Sequence, residues 1–570
     1  MLNRILNSKT KTVAFAAFLL ATSGLVSRLF GLLRDRLLAG KFGAGQELDI
    51  YFSAFRIPDF VYGILIVGGI SAAFLPVFSE YFGGGGDKKE EWSEKATKLA
   101  NNVLNSFSVI LIILCGILAI FTPLLIKFII PGFSPENRDM TIQLTRIMFL
   151  SPIFFGLASV FSGILQYFDK FMAYGLAPIL YNLGIIFGIV FLVPIFGVYG
   201  LALGVVFGAL LYLLIQIPAA WCSGFRYKAI FDFKDSGLKK ILKLMAPRIL
   251  GTSAYQVNLT VITAIASTLT AGSIAIFNFS NNLQYVPVGL IGIPFAVSSF
   301  SILSRAWATG QKEKFLKSFS SSFCQIVFFI IPISLVMFLL RAQIVRMILG
   351  AGNFGWWETR LTAACLGVFC LGILASSLTL LLIRMFFAFQ DTKTPVIISL
   401  ISMGCNIAFA YLFTYLLSFQ NFFQNFSAGL MKLQIPADGS GIIENIEVIG
   451  LPLALSASAI IQMVLLLVFL WLKIGDFQGK EIWLSAKKIL ISSGIMFIFV
   501  YLARQALSGI LNMQTFFGVF IQTTIVCSVA LVSYSFCAYV FKIPEFKNLK
   551  SAFLKEFSKA PPYESESEAN

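Results

Sequence analysis

Apolar side chains occur along this chain in runs of about 20 residues, separated by short polar or charged segments. A run of that length crosses a hydrocarbon core of roughly 30 Å as an α-helix, whereas barrel strands would give short alternating segments. The sequence therefore predicts an all-α polytopic membrane protein with about fourteen transmembrane helices. The predicted spans are 13–33, 48–80, 101–130, 140–166, 173–193, 198–221, 239–268, 274–304, 318–341, 361–387, 395–417, 449–472, 484–506 and 515–541.

Basic residues predict the orientation of these spans. With the N-terminus in the cytoplasm, cytoplasmic segments and their flanks hold about three times as many of the 43 Lys and Arg as external ones, the bias expected of bacterial inner-membrane proteins. This bias explains the net charge of +16 without nucleic acid as a partner. Arg34, Arg36 and Lys41 lie on the opposite side, which suggests a local use for them.

The chain also repeats itself. Ala44-Gly45 and Phe52-Ser53 recur as Ala271-Gly272 and Phe279-Ser280, at a constant offset of 227. Gly200-Leu201 and Trp221 recur as Gly450-Leu451 and Trp471, at a constant offset of 250. Each repeat holds six spans, and an even number returns the chain to its starting side. The repeats are therefore predicted to be parallel and related by a pseudo-twofold axis along the membrane normal.

These repeats predict the domain organisation. A first six-helix lobe covers 1–225, a second covers 226–475, two additional helices lie in 476–545, and 546–570 form a disordered cytoplasmic tail. Transporters built from such repeats place the substrate between the halves and alternate access by rocking one against the other. The external segment 418–447 receives no predicted role.

Composition excludes several classes of enzyme. The chain is 58% hydrophobic and 12% charged, and it contains no histidine. Catalysis by Ser-His-Asp or Cys-His groups and imidazole metal ligation are therefore excluded. The eight cysteines form no C-x-x-C pair, so the sequence predicts neither a zinc site nor a disulfide framework. A transporter is favoured over an enzyme.

Charged residues within the first two spans are the strongest functional signal. Arg28 lies well inside the first span, where an arginine costs roughly 2.5–3.5 kcal/mol on insertion scales. Asp35 follows it by seven residues, on the same helix face. Facing stripes of opposite charge indicate a water-filled cavity, in which guanidinium groups bind phosphate bidentately. Asp49, Arg56 and Asp59 follow helical spacing on the second span, with Pro58 available to kink it.

Structural explanations stay open for these charges. Arg34, Asp35 and Asp49 are also compatible with snorkelling or loop positions at the membrane surface. Arg28 and Arg56 are also compatible with a structural ion pair that holds two helices together. Asn282, a polar residue in an apolar run of the eighth span, fits either a cavity or an interhelical hydrogen bond.

At these residues the chain resembles a known family. SRLFGLLRD, FGAGQELD, AFRIPD and AAFLPVFSEY resemble the opening of the MurJ (MviN) family of the multidrug/oligosaccharidyl-lipid/polysaccharide exporter superfamily. FQDTKTP and GLPLALS resemble later patterns of the same family. The family's fourteen helices, two six-helix lobes plus two, equal the number predicted above.

The resemblance implies a lipid II flippase that moves the undecaprenyl-pyrophosphate-linked peptidoglycan precursor from the inner to the outer leaflet. It implies a cationic central cavity for the pyrophosphate and head group, and a groove formed with the two extra helices for the lipid tail. It implies a multi-pass protein of the bacterial inner membrane that acts as a monomer among membrane lipids. The charges that match the family's functional positions are Arg28, Arg34, Asp35, Asp49 and Arg56.

The chain departs from the family at three positions. Tyr62 stands where an arginine is usual, Val67 where a glutamate is usual, and Asn282 where well-studied members have an arginine. The cavity would therefore hold two fewer arginines. Some members bind sodium, for which Asp235 and Asp391 are the candidates here; no other cofactor is expected.

Two alternatives remain at this point. An exporter of another polyprenyl-linked oligosaccharide would recognise phosphate in the same way. A membrane glycosyltransferase is the second, but such enzymes usually carry paired carboxylates on a large external loop. The longest external loop here offers only Asp438, Glu444 and Glu447.

Overall fold

The computed structural model describes residues 13–82, 92–433, 445–548 and 551, and every regular element among them is a helix. The fourteen long helices are α1 Val13–Phe42, α2 Gln46–Phe82, α3 Glu94–Ile129, α4 Pro135–Tyr167, α5 Phe171–Phe196, α6 Tyr199–Trp221, α7 Ser236–Ser267, α8 Ser273–Ala308, α9 Lys312–Leu339, α10 Trp356–Ala388, α11 Lys393–Leu417, α12 Ile446–Ile474, α13 Gly479–Ile510 and α14 Phe516–Val540. Shorter helices include Arg341–Ile348 and Phe422–Met431.

Twelve of these helices are long and apolar enough to cross a membrane, counted over the described residues. The two others, α1 and α7, occupy the positions of the predicted first and seventh spans. The prediction of an all-α membrane fold is confirmed, whereas the number fourteen is not. Of the predicted disordered tail, 546–570, residues 546–548 are helical, which contradicts the prediction there, and Ser551 is also described. The rest of the tail lies outside the described residues, as do 434–444 of the predicted external segment.

Side-chain caps fix where several helices begin. Ser93 accepts a hydrogen bond from the Ala96 amide at 3.0 Å, just before α3. Asp235 accepts one from the Leu238 amide at 2.9 Å, just before α7. Such caps satisfy amide groups that have no partner within the helix. The polar residues that separate the apolar runs therefore also define the helix ends.

The second helix is irregular around Pro58. The α-helical segment Gln46–Ala54 ends at Phe55, and a π-helical segment, Tyr62–Ile70, begins four residues after the proline. A proline has no N–H to donate to the carbonyl four residues earlier. That carbonyl, on Ala54, instead accepts a hydrogen bond from the Thr145 hydroxyl at 3.3 Å. The predicted kink position therefore coincides with an interruption of the helix.

Two compact units divide the chain. The first contains the described residues of Met1–Leu283, Ile348–Cys365 and Val396–Ser458. The second contains those of Gln284–Met347, Leu366–Pro395 and Ala459–Asn570, and in it α13 packs against α9 and α14. The predicted lobes at 1–225 and 226–475 and the additional helices at 476–545 stay predictions.

Helices α5 and α6 of the first unit approach each other through glycines. A Cβ on Gly184 would lie 2.2 Å from the Gly208 Cα, and one on Gly188 would lie 2.5 Å from the Gly204 Cα. Small residues four apart allow two membrane helices to pack backbone against backbone. This packing fixes α5, which carries two residues of the site described next.

Candidate functional site

Arg34 and Asp35 form an ion pair near the end of α1. The Arg34 Nε and Nη2 atoms both donate to Asp35 Oδ1, at 3.0 and 2.8 Å. A third donor, Arg34 Nη1, lies 3.2 Å from Asn182 Oδ1 on α5. Asp35 Oδ2 accepts from Asn282 Nδ2 on α8 at 3.0 Å. The adjacent charges thus link α1 to two other helices of the first unit.

Arg56 on α2 is the more deeply buried of the two arginines. It is 8% exposed, and its Nη2 donates to Asn278 Oδ1 at 2.9 Å. Its Nε has no hydrogen-bond partner among the described residues. A buried guanidinium N–H without a partner is costly, and it remains available to an anionic ligand. Asp59 lies one turn further along α2, with no hydrogen bond to its carboxylate from the part of the chain that the structure describes.

These side chains line one cavity of about 210 Å³ within the first unit. Its two cations are Arg34 and Arg56, and its acid is Asp59. Two asparagine amides and five apolar or aromatic side chains complete the lining. The full lining is Arg34, Leu38, Tyr51, Phe52, Phe55, Arg56, Asp59, Tyr181, Asn278 and Asn282.

Repeat-related positions face each other at this cavity. At the offset of 227, Tyr51 corresponds to Asn278 and Phe55 to Asn282, and all four line it. The repeat equivalents Phe52 and Phe279 touch, with ring centroids 5.5 Å apart. In a twofold arrangement, only residues close to the axis contact their own equivalents. The contacts therefore support the predicted repeat and place the cavity near its axis.

Asp49 lies away from the lining, although the sequence predicted it for the cavity. Its Oδ2 accepts from the Gly272 amide at 2.6 Å and its Oδ1 from the Ala275 amide at 2.8 Å. These are amides at the beginning of α8, where a carboxylate also interacts favourably with the helix dipole. The contacts assign Asp49 to the joint between α2 and α8 rather than to the cavity wall.

The remaining predicted positions lie around the cavity rather than in it. Arg28, on α1, is half-buried and is not part of the lining. Pro58 is buried beside the interruption of α2. Tyr62 packs on Phe155 with ring centroids 4.9 Å apart, and Val67 is 51% exposed. Of the three departures from the family pattern, only Asn282 changes the lining.

The C-terminal end of α1 contacts the backbone around Asn353 within the first unit. The Asn353 amide donates to the Gly40 carbonyl at 2.9 Å, and its side chain donates to the Lys41 carbonyl at 2.8 Å. Gly43 has a φ of +68°, and a Cβ there would lie 2.8 Å from the Asn353 carbonyl oxygen. Only glycine tolerates such an approach without strain.

The candidate sodium ligands are engaged elsewhere. Asp235 caps α7, as described above. Asp391 Oδ1 accepts from the Thr394 amide at 3.1 Å, and its Oδ2 accepts from the Thr394 hydroxyl at 2.9 Å and from Lys473 Nζ at 2.5 Å. Burial opposes ionisation of Asp391, but the hydrogen bonds from Lys473 and Thr394 hold its pKa below the usual range. Because an ammonium already balances this carboxylate, the residues do not fit a sodium site.

A second cavity, of about 730 Å³, lies in the second unit along α13 and α14. Its wall is almost entirely apolar, in contrast to the first. The lining is Ile495, Phe499, Thr524, Ile525, Ser528, Val529, Val532, Ser533, Phe536, Cys537, Val540 and Phe541.

Sequence reasoning missed Asn278 and Tyr181 as lining residues. Asn278 lies in the polar cluster FNFSNN of α8, of which only Asn282 was selected. Its signal was therefore present in the sequence. Tyr181 gave no signal, because one tyrosine in an apolar run does not show which helix it faces.

Comparisons with known proteins identify the family. The model of the lipid II flippase MurJ family matches residues 38–432. The probable lipid II flippase MurJ of Buchnera aphidicola subsp. Acyrthosiphon pisum is 30% identical over 387 residues, which cover 67% of this chain and 74% of that protein. The corresponding protein of Vibrio cholerae is 28% identical over 409 residues, 71% of this chain and 78% of its own.

Solved structures give the same result. A lipid II flippase MurJ in an inward closed conformation superposes with a TM-score of 0.71 at 25% identity, covering 92% of this chain and 99% of that one. An inward-facing transporter of the multidrug resistance MATE family superposes with a TM-score of 0.62 at 15% identity over 79% of this chain and 95% of its own, which shows a shared fold. The chain therefore belongs to the MurJ lipid II flippase family, whose members are membrane transporters and not enzymes.

Proposed function

We propose that this protein moves a lipid-linked peptidoglycan precursor from the inner to the outer leaflet of the bacterial inner membrane. The observation that carries the proposal is the pair Arg34 and Arg56 in one cavity, with the Arg56 Nε unpaired. Guanidinium groups bind phosphate oxygens through two parallel hydrogen bonds, which suits the diphosphate that joins the lipid to its head group.

The two arginines divide the task of binding. Asp35 already balances the charge of Arg34, which keeps that side chain in one orientation. Among the described residues, Arg56 has only the Asn278 side-chain oxygen as a hydrogen-bond partner, so its positive charge is the one more available to a ligand. We therefore assign the main phosphate contact to Arg56 and a supporting one to Arg34.

The size of the cavity supports alternating access. Sites for drug-sized ligands have volumes of roughly 300–1,000 Å³, whereas this cavity measures about 210 Å³. It would accept a diphosphate-sized group but not a whole head group with sugars and peptide. Contacts at Gly40, Gly43 and Asn353 hold the C-terminal end of α1. In our proposal this end is external, the cavity widens towards the cytoplasm to load, and these contacts separate to release the product outside.

The apolar cavity along α13 and α14 would hold the isoprenoid chain. Its volume of about 730 Å³ and its apolar wall suit a hydrocarbon ligand. We further propose a cytoplasmic N-terminus, from the basic residues of the loops, and a monomer without a nucleic-acid partner. No step of this scheme involves sodium, because the candidate residues do not fit it.

A second candidate is export of another polyprenyl-linked oligosaccharide. The observation in its favour is that Asn282, an amide, lines the cavity at the position where the family pattern described above has an arginine. The same phosphate contacts would serve either substrate. The glycosyltransferase alternative is not proposed, because the family consists of transporters.

The test is complementation of a bacterium depleted of its own flippase, scored by the accessibility of lipid II in the outer leaflet. We expect the unaltered protein to rescue and Arg56→Ala to reduce outer-leaflet lipid II at least tenfold, since a hydrogen bond to a charged group contributes about 1.5–3 kcal/mol. Arg305→Ala, at an exposed arginine of α8, is the matched control and should rescue fully.

The outcomes separate the candidates. Full activity of Arg56→Ala would contradict the assignment of the cavity as the substrate site. Failure of the unaltered protein despite normal membrane insertion would favour a different lipid-linked glycan.

A further inference from the structure

Three buried asparagines at the beginning of α3 hold an extended segment of the chain, residues 226–232. Asn101 donates to the Arg226 carbonyl at 3.0 Å and accepts from the Lys228 amide at 2.7 Å. Asn102 makes the same two kinds of bond to Asp232, at 2.8 and 2.7 Å.

Asn105 completes the set by donating to the carbonyls of Lys228 and Ile230 at 3.0 and 3.1 Å. All three asparagines are nearly inaccessible, at 0, 0 and 6% exposure. Buried amides of this kind would be costly without partners. Here their hydrogen bonds go to backbone groups, so they fix the course of the segment whatever its side chains are.

Most side chains of residues 226–234 are exposed rather than packed against this support. Tyr227, Phe231 and Phe233 are 57, 56 and 55% exposed, and the cations Arg226, Lys228 and Lys234 are exposed as well. Asp232 is paired with Lys98 at 3.1 Å, which holds the pKa of the Asp232 carboxyl below its usual range. The segment therefore presents three aromatic rings and three cations on a fixed backbone.

The position of the segment on α3 indicates what these side chains face. Residues eleven apart on a helix lie on the same face. Ile112 and Ile113 stand eleven residues after Asn101 and Asn102, and they are 53 and 56% exposed within the apolar span. The face that holds the segment therefore continues directly into the face of α3 that contacts lipid.

The segment also reaches towards the hydrocarbon region. Along the segment, the backbone first bonds to Asn101, then to Asn105 and finally to Asn102. Asn101 and Asn105 are four residues apart on α3, a distance of about 6 Å along the helix axis. The carbonyls of Lys228 and Ile230 are thus the deepest, next to the apolar run that begins at Phe107. In a helix that spans a membrane, the residues just before the apolar run lie at the depth of the lipid head groups.

We propose that residues 226–234 form a binding surface for the phosphate groups of anionic membrane phospholipids. Arginine and lysine side chains at a membrane surface bind such phosphates, and aromatic rings are enriched at head-group depth. The asparagine support fixes the backbone before any lipid binds, so binding costs little ordering entropy. The surface does not depend on the identity of the transported substrate.

The experiment measures lipid selectivity in the purified full-length protein. Native mass spectrometry with equal amounts of dioleoylphosphatidylglycerol and dioleoylphosphatidylcholine gives the ratio of bound lipids. We expect the ratio to favour phosphatidylglycerol, and to fall about tenfold or more in a variant with Arg226→Gln, Lys228→Gln and Lys234→Gln. The matched control carries Lys312→Gln, Lys314→Gln and Lys317→Gln, which removes three exposed cations at the beginning of α9. It should retain the ratio of the unaltered protein.

A second variant separates a built site from net charge. Asn101→Ala with Asn102→Ala keeps every cation but releases the backbone of the segment, so the ratio should fall in this variant too. Three results would overturn the proposal. The lipid ratio could fall equally in the control with the three lysine substitutions, it could stay unchanged in the asparagine variant, or the unaltered protein could show no preference for phosphatidylglycerol.

A competition arm separates the phospholipid from the transported lipid, whose diphosphate has related chemistry. Undecaprenyl diphosphate is added to the phosphatidylglycerol-loaded protein. Phosphatidylglycerol should remain bound at the segment. Its displacement in the unaltered protein but not in the Arg226, Lys228 and Lys234 variant would show a substrate entry site and overturn the assignment to phospholipid.

Discussion

At the scale of single residues, the cavity differs from an ordinary buried charge cluster in how its charges are balanced. Arg34 has a carboxylate at 2.8 Å, whereas Arg56 has an amide and leaves its Nε unpaired. Removing a partner from a buried charge usually destabilises a protein by several kcal/mol. A buried Arg56 whose Nε has no hydrogen-bond partner among the described residues therefore fits a role in which the substrate supplies that partner.

Asn282 provides a test of whether this wall of the cavity can accept charge. Its amide donates to Asp35 and lines the cavity, so an arginine there would find both a carboxylate and open volume. We expect Asn282→Arg to fold, with a melting temperature in detergent within a few degrees of the unaltered protein, and to keep transport activity. The measurement is thermal unfolding of the purified variant, followed by the complementation assay.

Ser280→Arg is the control for this substitution. Ser280 lies on the same helix, two residues earlier, and is fully buried. An arginine there would have to displace packed side chains, so this variant should fail to accumulate in the membrane. Similar loss of both variants would contradict the view that Asn282 borders an open cavity.

The sequence predicted the arginines of this site better than their partners. An arginine inside an apolar run is conspicuous because of its insertion cost, which predicts a role for Arg56. Arg34 lies just after the predicted first span, and it is predicted instead by the charge bias of the loops and by the family resemblance. The pairing of Arg56 with Asn278 joins residues 222 positions apart, and nothing in a single sequence encodes that contact. For Arg28 the prediction differs from the structure. Its depth in the first span predicted a position in the cavity, but Arg28 is not part of the cavity lining.

At the scale of helices, Asp49 joins the beginning of α2 to the beginning of α8. A buried carboxylate that caps a helix contributes about 1–3 kcal/mol, through two hydrogen bonds and the helix dipole. We expect Asp49→Ala to lower the free energy of unfolding of the purified protein by that amount. Thermal or denaturant unfolding in detergent, monitored by circular dichroism, measures it.

Glu47→Ala provides the comparison, since Glu47 lies on the same helix and is exposed. Its stability should stay within about 0.5 kcal/mol of the unaltered protein. If Asp49→Ala were equally stable but inactive in transport, the carboxylate would belong to the substrate path, as the sequence predicted.

Helix positions and the interruption of α2 at Pro58 were predictable from the sequence, but the π-helical segments were not. The predicted span 48–80 corresponds to Gln46–Phe82, and 361–387 to Trp356–Ala388, because apolar length alone sets these limits. The π-helical segments Tyr62–Ile70 and Val288–Gly292 give no comparable signal. Both segments are apolar runs like the α-helical segments beside them, so composition does not distinguish the two.

At the scale of the whole molecule, the internal repeat organises the first unit around the cavity. Gly200 and Gly450, which correspond at the offset of 250, each pack against the end of the preceding helix. A Cβ on Gly200 would lie 2.5 Å from the Leu192 carbonyl carbon, and one on Gly450 would lie 2.7 Å from the Thr414 amide. These two repeat positions thus have equivalent structural roles, which supports the repeat predicted from the sequence.

The Asp391–Lys473 pair leads to a prediction about the energy source of transport. Lys473 Nζ lies 2.5 Å from the carboxylate and also contacts the Phe386 and Phe389 rings, at 5.8 and 5.4 Å from their centroids. A tethered ammonium with these partners occupies the position that a free cation would need. We therefore expect the transport rate in proteoliposomes to be the same in sodium and in potassium buffers of equal ionic strength.

The variant Lys473→Met gives this prediction its internal comparison. It removes the ammonium but keeps an unbranched side chain, which leaves the Asp391 carboxylate without its counter-ion. Only in this variant could an external cation balance the charge, so a sodium effect on thermal stability should appear there and be absent from the unaltered protein. A sodium-dependent rate in the unaltered protein would show that the internal lysine does not replace the ion, and that a cation site lies at other residues.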